Sequence, residues 1–249
     1  RMSTTEHNTA ASYTLEDDGV AIIALDMQDY PMNMINEQSM QGFQDYVEKA
    51  VNDEKVRGIV ITSNRKEFMV GADLNMLLRL TDAEDIYNLA MNLNAQLRRL
   101  ETCGKPVVAA INGSALGGGY ELALACHHRI AINDKRIQIG LPEVQLGVLP
   151  GGGGTQRLPR LIGLQPAMEN ILQAKRNRPE KAKRIGMIDD LADDKDELLL
   201  KARKWVLDNP KAQQPWEEKK FKLPGGGVMT PQGAQVMSAG IGLLRKETW

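Results

Sequence analysis

Short apolar runs alternate with amphipathic segments through the first half of the chain. Residues 20–25 (VAIIAL), 56–62 (VRGIVIT) and 106–111 (PVVAAI) have strand length and are rich in β-branched residues. Residues 39–52 and 82–100, which lie between these runs, have apolar side chains three and four positions apart, as on one face of a helix. Strands that are joined by helices pair in parallel. The pattern therefore predicts an α/β fold with parallel strands.

Helical patterns dominate the second half of the chain. Pro179 begins a predicted helix, since proline is favoured in a first turn, and residues 193–208 form another amphipathic segment. Residues 209–227 are rich in Pro, Gly and Lys, which predicts a linker or an extended surface segment. A last short helix is predicted over residues 231–246.

The composition is that of an ordinary globular chain, with 42% hydrophobic and 25% charged residues. Its length of 249 residues suits one large domain or a domain with an appendage. The net charge of −1 does not support nucleic-acid binding. A local cationic rim for a phosphorylated ligand is compatible with it.

Cysteine content and hydropathy bear on the cellular compartment. Cys103 and Cys126 are too few for a disulfide framework, which favours a reducing compartment. No segment approaches the roughly 20 apolar residues that cross a bilayer, so no membrane span is predicted. Residues 1–12 are polar and lack the apolar stretch of a secretory signal. These features predict a cytoplasmic location.

A glycine-rich turn joins a predicted strand to a predicted helix at residues 111–121 (INGSALGGGYE). Three consecutive glycines let the backbone approach a ligand closely, and the first amides of the following helix lack partners within it. Such amides, at the positive end of the helix dipole, bind phosphate or stabilise an oxyanion. A tight turn that packs the helix against the strand explains the same glycines, and the glycines alone do not separate these interpretations.

Neither glycine run fits a nucleotide-binding motif. Residues 117–119 are followed by Tyr-Glu-Leu, and residues 151–154 by Thr-Gln-Arg. A P-loop requires a lysine and a hydroxyl after its glycine, and a dinucleotide site requires G-x-G-x-x-G. Both nucleotide interpretations therefore fail, and no metal site is predicted.

Glu121 and Glu143 are candidate acid–base groups. Glu121 lies two residues after the last glycine of the turn, where the helix dipole favours a carboxylate. Its alternative role is to cap that helix. Glu143 follows Pro142 between two apolar segments, and its alternative position is in a loop at the surface.

Three ordered motifs resemble those of the crotonase (enoyl-CoA hydratase/isomerase) superfamily. They are FMVGADL at residues 68–74, ALGGGYEL at 115–122 and LPEVQLG at 141–147. The resemblance implies a crotonase-like spiral of ββα units with an α-helical C-terminal region. It divides the chain into a catalytic core, residues 1–190, and a helical region with a connector, residues 191–249.

The same resemblance implies a substrate site. The backbone amides of Ala72 and Gly118 correspond to the oxyanion hole for a thioester carbonyl. Contacts with CoA and the substrate are implied at Ala72, Asp73, Leu74 and Gly118. No cofactor and no metal are implied, because the CoA thioester is itself the substrate.

Glu121 and Glu143 correspond to the family's catalytic acids, on either side of a water that adds across the 2,3-double bond. The implied activity is hydration of trans-2-enoyl-CoA to 3-hydroxyacyl-CoA in fatty-acid β-oxidation. Two nearby carboxyls resist ionising together, so one accepts a proton and the other supplies one, although the sequence does not assign the two roles. The alternatives are a Δ3-Δ2 isomerase or another CoA thioester enzyme of this fold, and a non-catalytic acyl-CoA-binding or assembly domain.

Residues 140–163 and the C-terminal tail further resemble multifunctional α-subunits of fatty-acid oxidation complexes. This resemblance implies either an excised N-terminal hydratase domain or a stand-alone relative, and it favours the excised domain, in which case NAD serves only a dehydrogenase domain that follows. The implied partners are acyl-CoA and either further copies in a homotrimer or a thiolase. His127 stands where many members have aspartate, and we expect it to have a structural or surface position and no chemical role.

Overall fold

Strands and helices alternate in the computed structural model, which describes residues 4–247. The strands are β1 (Thr5–His7), β2 (Ala11–Leu15), β3 (Val20–Leu25), β4 (Gly58–Ser63), β5 (Met69–Val70), β6 (Val107–Ile111), β7 (Ala115–Leu116), β8 (His128–Ile132), β9 (Ile139–Gly140), β10 (Arg176–Asn177) and β11 (Asp190–Ala192). The helices are α1 (Glu37–Asn52), α2 (Leu74–Arg79), α3 (Ala83–Glu101), α4 (Gly118–Ala125), α5 (Gly154–Ile162), α6 (Leu164–Leu172), α7 (Pro179–Arg184), α8 (Lys195–Asp208) and α9 (Pro231–Glu247). Two short 3-10 helices are η1 (Glu143–Leu146) and η2 (Pro215–Glu217).

The strands form two sheets. The larger has seven strands in the order β1-β2-β3-β4-β6-β8-β11. Its first three strands are antiparallel neighbours, whereas β3, β4, β6, β8 and β11 are parallel. The smaller sheet, in the order β10-β9-β7-β5, is parallel except at its β10–β9 pair. Two of its strands, β5 and β7, lead directly into the glycine turns that shape the candidate site.

Side chains cap several of the helices where the sequence changes from polar to amphipathic. Asn36 and Ser39 form a reciprocal capping box at the start of α1. Asp82 and Asp194 accept hydrogen bonds from first-turn amides of α3 and α8. Pro179 is the first residue of α7, as predicted.

The core lies on both faces of the larger sheet. Ile59 and Ile61 of β4 pack into the main cluster with α1, α3 and α4. Val60, which points to the opposite face, packs with Val206 of α8. Burial on both faces explains why the parallel strands appear in the sequence as continuous apolar runs.

The structure confirms the predicted α/β class and its parallel pairing. The runs at residues 20–25, 56–62 and 106–111 correspond to β3, β4 and β6, and the two amphipathic segments between them correspond to α1 and α3. The boundary near residue 190 stays a prediction. β11 begins at that residue and pairs with β8, while α8 packs on the larger sheet.

Residues 209–227 make hydrogen bonds with buried groups in the rest of the domain, although their Pro, Gly and Lys content predicts a linker or an extended surface segment. The Gln214 side chain is fully buried and donates to the carbonyl oxygens of Leu124 and Cys126, both at 3.1 Å. Trp216 donates from Nε1 to Glu101 Oε1 at 3.1 Å. These contacts are made with distant parts of the chain, so local composition did not predict them.

Within residues 4–247, the structure contains no helix with the length and apolar character needed to span a bilayer.

Candidate active site

Two parallel strands of two residues each bring distant parts of the sequence side by side. Met69 pairs with Ala115, and Val70 with Leu116. The chain then leaves β5 at Gly71 and β7 at Gly117, whose φ angles are 82° and 56°. Positive φ values of this kind favour glycine. The two turns are in contact, because a Cβ built on Gly117 would lie 3.4 Å from the Cα atom of Gly71.

Ala72 and Gly118 follow these two turns. The backbone N–H of Ala72 is not used in the bridge to Ile35, and the backbone N–H of Gly118 is not used within helix α4. The Ile35 N–H donates to Gly71 O, and the Asp73 N–H donates to Ile35 O, each at 2.9 Å. This bridge uses the residues on either side of Ala72, so the N–H of Ala72 points away from Ile35. Gly118 is the first residue of α4, where an amide has no partner within the helix and the dipole is positive.

Both residues line a cleft of about 220 Å³. Its walls are mainly apolar side chains of α2, α3 and the loop after η1, namely Met76, Leu77, Ile86, Leu89, Ala90, Leu93, Val148 and Leu149. Glu121 and Glu143 are the ionisable residues among its described lining. A second, smaller apolar cavity of about 30 Å³ shares Ile35, Leu93 and Gly118 with it. Apolar walls with a few polar groups are typical of a small-molecule site.

Glu121 lies in the first turn of α4 and is only 2% exposed. Its Oε1 atom accepts a hydrogen bond of 2.7 Å from the Gly154 N–H. Burial raises the pKa of this carboxyl, while the amides of Gly154 and Gly152 and the charge of Arg157 act in the opposite direction. The carboxyl is therefore a buried group whose charged form depends on the neighbouring glycine loop.

Glu143 begins η1 and packs over the Gly117 turn. A Cβ on Gly117 would lie 3.1 Å from Glu143 Oε1, so a larger residue there would crowd this carboxyl as well as strain the backbone. Within residues 4–247, the buried Oε2 atom of Glu143 has no hydrogen-bond partner. Burial, followed by the charge of Glu121, raises the pKa of Glu143 to about 7. Two carboxyls coupled in this way titrate as a pair, and the charge of one makes the other harder to ionise.

Glu143→Gln is expected to raise the Tm at pH 8 and to change it little at pH 5, each compared with the wild type at the same pH. The folded protein holds the Glu143 proton more tightly than the unfolded chain does, since the pKa rises from 4.5 to about 7. The stability that this group contributes is complete below about pH 4.5 and is lost as the pH rises through about 7. Glutamine is neutral at both pH values, so the variant does not lose this stability at pH 8.

Differential scanning calorimetry measures this effect, and a domain of this size gains about 2–4 °C for each 1 kcal/mol. Glu218→Gln, at an exposed glutamate, is the control and should leave the Tm unchanged at both pH values. An equal gain for Glu143→Gln at pH 5 and pH 8 would contradict the electrostatic explanation, since it would indicate better packing instead.

The structure places Asp73 and Leu74 differently from the four residues above. The Asp73 side chain caps α2 by accepting a 2.9 Å hydrogen bond from the Asn75 N–H, and it lines a neighbouring cleft with Tyr30 and Arg79. Leu74 is 51% exposed at the start of α2. Neither residue lines the cleft that contains Glu121 and Glu143, and their contact with CoA stays a prediction.

His127 is structural, as expected. Its Nδ1 atom accepts from the Val107 N–H at 2.9 Å, and its Nε2 atom lies 2.9 Å from the carbonyl oxygen of Glu101. The ring is buried, and burial lowers its pKa. These contacts join α3 to the start of β6 and direct no titratable nitrogen into the cleft.

Sequence reasoning missed the loop of residues 151–154 as part of the site. Gly151 and Gly152 line the cleft, and Gly154 donates to Glu121. The run of four glycines was the available signal, but neither the nucleotide motifs nor the family resemblance of residues 140–163 indicated a contact with Glu121. The apolar wall formed by α2 and α3 was also missed, because helical periodicity does not show which face a ligand meets.

A family model described as "Enoyl-CoA hydratase/isomerase" matches residues 16–214 of this chain. The chain belongs to the enoyl-CoA hydratase/isomerase family. This membership supports an enzyme of the crotonase type, without distinguishing a hydratase from an isomerase. It confirms the family that the three sequence motifs indicated.

Solved structures and curated relatives agree with this assignment. The chain is similar to an enoyl-CoA hydratase of Bacillus anthracis (TM-score 0.72, 27% identity, 97% of this chain and 90% of that chain). A structure from Geobacillus kaustophilus gives a TM-score of 0.77 at 28% identity over 84% of this chain and 77% of that chain. These similarities confirm the crotonase-like fold.

Among curated proteins, the chain is similar to the "Fatty acid oxidation complex subunit alpha" of Shewanella frigidimarina. The two are 43% identical over 176 residues, which make up 70% of this chain and 25% of the relative. A Shewanella baltica protein of the same name is 42% identical over 179 residues, or 72% of this chain and 25% of that protein. The chain thus spans about a quarter of the length of these relatives.

Proposed function

We propose that this chain adds water to trans-2-enoyl-CoA to give 3-hydroxyacyl-CoA in fatty-acid β-oxidation. The observation that supports this reaction is a pair of carboxyls, the buried Glu121 and the partly buried Glu143, in an apolar cleft that Ala72 and Gly118 also line. Hydration needs a proton acceptor for water, a proton donor for carbon and stabilisation of the thioester oxygen. The cleft offers a candidate group for each need.

In the proposed mechanism, the amides of Ala72 and Gly118 donate to the thioester oxygen. As water attacks C3, the electron pair of the double bond moves towards C2 and the carbonyl, and negative charge develops on that oxygen. Amide donors aimed at such a charge typically contribute about 3–4 kcal/mol each to the barrier reduction. A proton then reaches C2 and the carbonyl is restored, so the addition is redox neutral.

We assign the base to Glu121 and the acid to Glu143. Burial raises the pKa of Glu121, and the Gly154 N–H opposes this by stabilising the charged form that can take a proton from water. Glu143 has a pKa of about 7, which suits a carboxylic acid that must hold a proton near neutral pH and release it to carbon. After each turnover, proton exchange between the pair and solvent restores the starting state.

The acyl chain has an apolar path in this arrangement. An acyl group held by its thioester at Gly118 can extend along the apolar wall that α2 and α3 form in the cleft. The CoA portion would then lie towards α2, near Asp73 and Leu74. The proposed reaction needs no further cofactor, since the two carboxyls move both protons.

The larger setting is also a proposal. Relatives named as α-subunits of fatty-acid oxidation complexes match this chain over a quarter of their length. We propose that the chain is the hydratase part of such a multifunctional protein in the cytoplasm. A thiolase would then be its partner, NAD would serve a separate dehydrogenase part, and a homotrimer is the alternative assembly.

Hydration of crotonyl-CoA tests the proposed function. Loss of the absorbance of the conjugated thioester is expected on addition of the wild-type protein, with 3-hydroxybutyryl-CoA as product. A 3-enoyl-CoA supplied in parallel distinguishes an isomerase, because absorbance would then appear. Isomerisation without hydration would replace the proposed reaction by the isomerase alternative, and tight acyl-CoA binding without turnover would favour a binding domain.

A further inference from the structure

A buried ion pair adjoins the candidate site, although the proposed reaction does not use it. Glu101 at the end of α3 is 4% exposed, and Arg157 of α5 is 8% exposed. Arg157 donates from Nε to Glu101 Oε1 at 3.0 Å and from Nη2 to Glu101 Oε2 at 3.1 Å. This two-bond geometry fixes the plane of the guanidinium group.

The same guanidinium holds the glycine loop that contacts Glu121. Its remaining nitrogen, Nη1, donates to the carbonyl oxygen of Gly152 at 3.0 Å. Two residues further along the loop, the Gly154 N–H donates to Glu121 Oε1 at 2.7 Å. Gly153 between them has a φ of 93°, and a Cβ there would lie 2.5 Å from Arg157 Nη1. Arg157 therefore connects the orientation of the loop to the hydrogen bond on Glu121.

Two further donors hold Glu101 in place. Trp216 donates from Nε1 to Glu101 Oε1 at 3.1 Å, and Arg98 donates from Nη1 to Glu101 Oε2 at 2.8 Å. Each carboxylate oxygen thus receives two hydrogen bonds, counting those from Arg157. The Trp216 contact comes from the segment that its composition had suggested to be a linker. A region outside the catalytic core predicted from the sequence thereby supports the candidate site.

Stability alone does not account well for this arrangement. Taking both charges out of water is costly, and a buried ion pair often contributes no more than a packed apolar pair of similar volume. What the pair provides here, and an apolar pair does not, is a fixed donor for the Gly152 carbonyl. The loop contact is the part of the geometry that points to a role in the reaction.

We propose that Arg157, oriented by Glu101 and Trp216, is a positioning residue that sets the Gly154–Glu121 hydrogen bond. This inference rests on the proposed function, since it gives Glu121 the role of base. Arg157 does not touch the substrate. It acts through the glycine loop, whose amide determines how readily the Glu121 carboxyl is present as the charged acceptor.

Charges around Glu121 determine the direction of the expected effect. Arg157 on α5 lowers the pKa of Glu121, in the same direction as the Gly154 and Gly152 amides, whereas burial raises it. The other ionisable groups at this point are Glu143, coupled to Glu121 from η1, and Glu101, which is paired with Arg157 from α3. Weakening the Arg157 contact therefore raises the pKa of Glu121, and less of the base is charged at a given pH.

Arg157→Lys is the first test, because lysine keeps the charge but cannot span both Glu101 oxygens and the Gly152 carbonyl. We expect kcat for crotonyl-CoA hydration to fall at least tenfold, with KM changed less than threefold. The acidic limb of the pH profile of kcat should move to higher pH. Trp216→Phe removes a single donor and should shift that limb in the same direction by a smaller amount.

Arg129→Lys is the matched control. Arg129 is also buried and paired, with Asp189 at 2.8 Å, but its side chain contacts carbonyl oxygens at the far end of α4 instead of the glycine loop. This variant should lose thermal stability without a change in kcat or in the pH profile. Proportional losses of kcat in Arg129→Lys and Arg157→Lys would overturn the proposal, as would an Arg157→Lys enzyme with wild-type kcat and pH profile.

A double variant covers the case in which Arg157→Lys does not fold. Glu101→Leu combined with Arg157→Met replaces both charges by apolar groups and leaves neither charge unpaired. The folded double variant should show the same tenfold loss and the same shift of the acidic limb. Wild-type behaviour of this variant would overturn the positioning role.

A measurement without substrate separates this inference from the proposed function. The ¹⁵N–¹H signal of Gly154 should move with pH as Glu121 titrates, and the midpoint should be higher in Arg157→Lys than in the wild type. An unchanged midpoint in the folded variant would sink the positioning role even if the enzyme hydrates crotonyl-CoA. If the midpoint is raised in Arg157→Lys but the protein does not hydrate crotonyl-CoA, the positioning role of Arg157 is supported and the proposed hydratase function is rejected.

Discussion

Glu121→Gln and Glu143→Gln are each expected to lower kcat for crotonyl-CoA hydration by at least about 10²-fold, the usual contribution of a positioned acid or base. Glutamine matches glutamate in shape, so the packing of the buried Glu121 side chain is retained while its proton chemistry is lost. Steady-state kinetics across the pH range is the measurement. Glu218→Gln, at an exposed glutamate, should behave as the wild type.

The two variants should also differ from each other. In the proposed assignment Glu143 is the acid, so the wild-type kcat/KM falls as the pH rises through about 7, where this carboxyl loses its proton. The residual kcat/KM of Glu143→Gln should not show this fall near pH 7. In Glu121→Gln the fall in kcat/KM should move to lower pH, because the charge that raises the pKa of Glu143 is gone. Full turnover in both variants would reject the two-carboxyl mechanism.

Ala72→Pro is expected to lower kcat by about 10²–10³-fold, because proline removes an amide that the mechanism assigns to the thioester oxygen. The bridge to Ile35 should persist, since its hydrogen bonds use Gly71 O and the Asp73 N–H. The loss is expected mainly in kcat, since the oxygen acquires most of its negative charge in the transition state.

Ala72→Ser provides the control for that variant, because it enlarges the side chain and keeps the N–H. Its kcat should stay within a few fold of the wild type, and circular dichroism should show that both variants are folded. A folded Ala72→Pro enzyme with wild-type kcat would exclude the amide as a donor. Equal losses in the two variants would attribute the effect to crowding in the cleft.

Sequence reasoning predicted three of the seven strands of the larger sheet, β3, β4 and β6, because they are buried on both faces and appear as apolar runs. The smaller sheet was missed for the opposite reason. Strands of two residues, such as β5 (Met69–Val70) and β7 (Ala115–Leu116), are too short to show a period. Their pairing is nonetheless what brings Ala72 and Gly118 into one cleft.

The candidate acids were identified because each lies in a recognisable local motif. The support around them was not, since it depends on contacts between distant residues. Glu101 meets Trp216 across 115 positions, and Arg157 meets Glu101 across 56. A charged residue near a helix end ordinarily indicates a solvated position. Only the folded chain shows that both members of this pair are buried.

The helix α2 has a consequence for how the protein responds to its ligand. None of its six residues is buried, although Met76 and Leu77 line the cleft and Leu78 is 80% exposed. An element with so little buried surface of its own opens at low free-energy cost. An acyl chain in the cleft would supply the apolar neighbours that α2 lacks. The proposed substrate would then act as a temporary part of the hydrophobic core and complete the packing of α2.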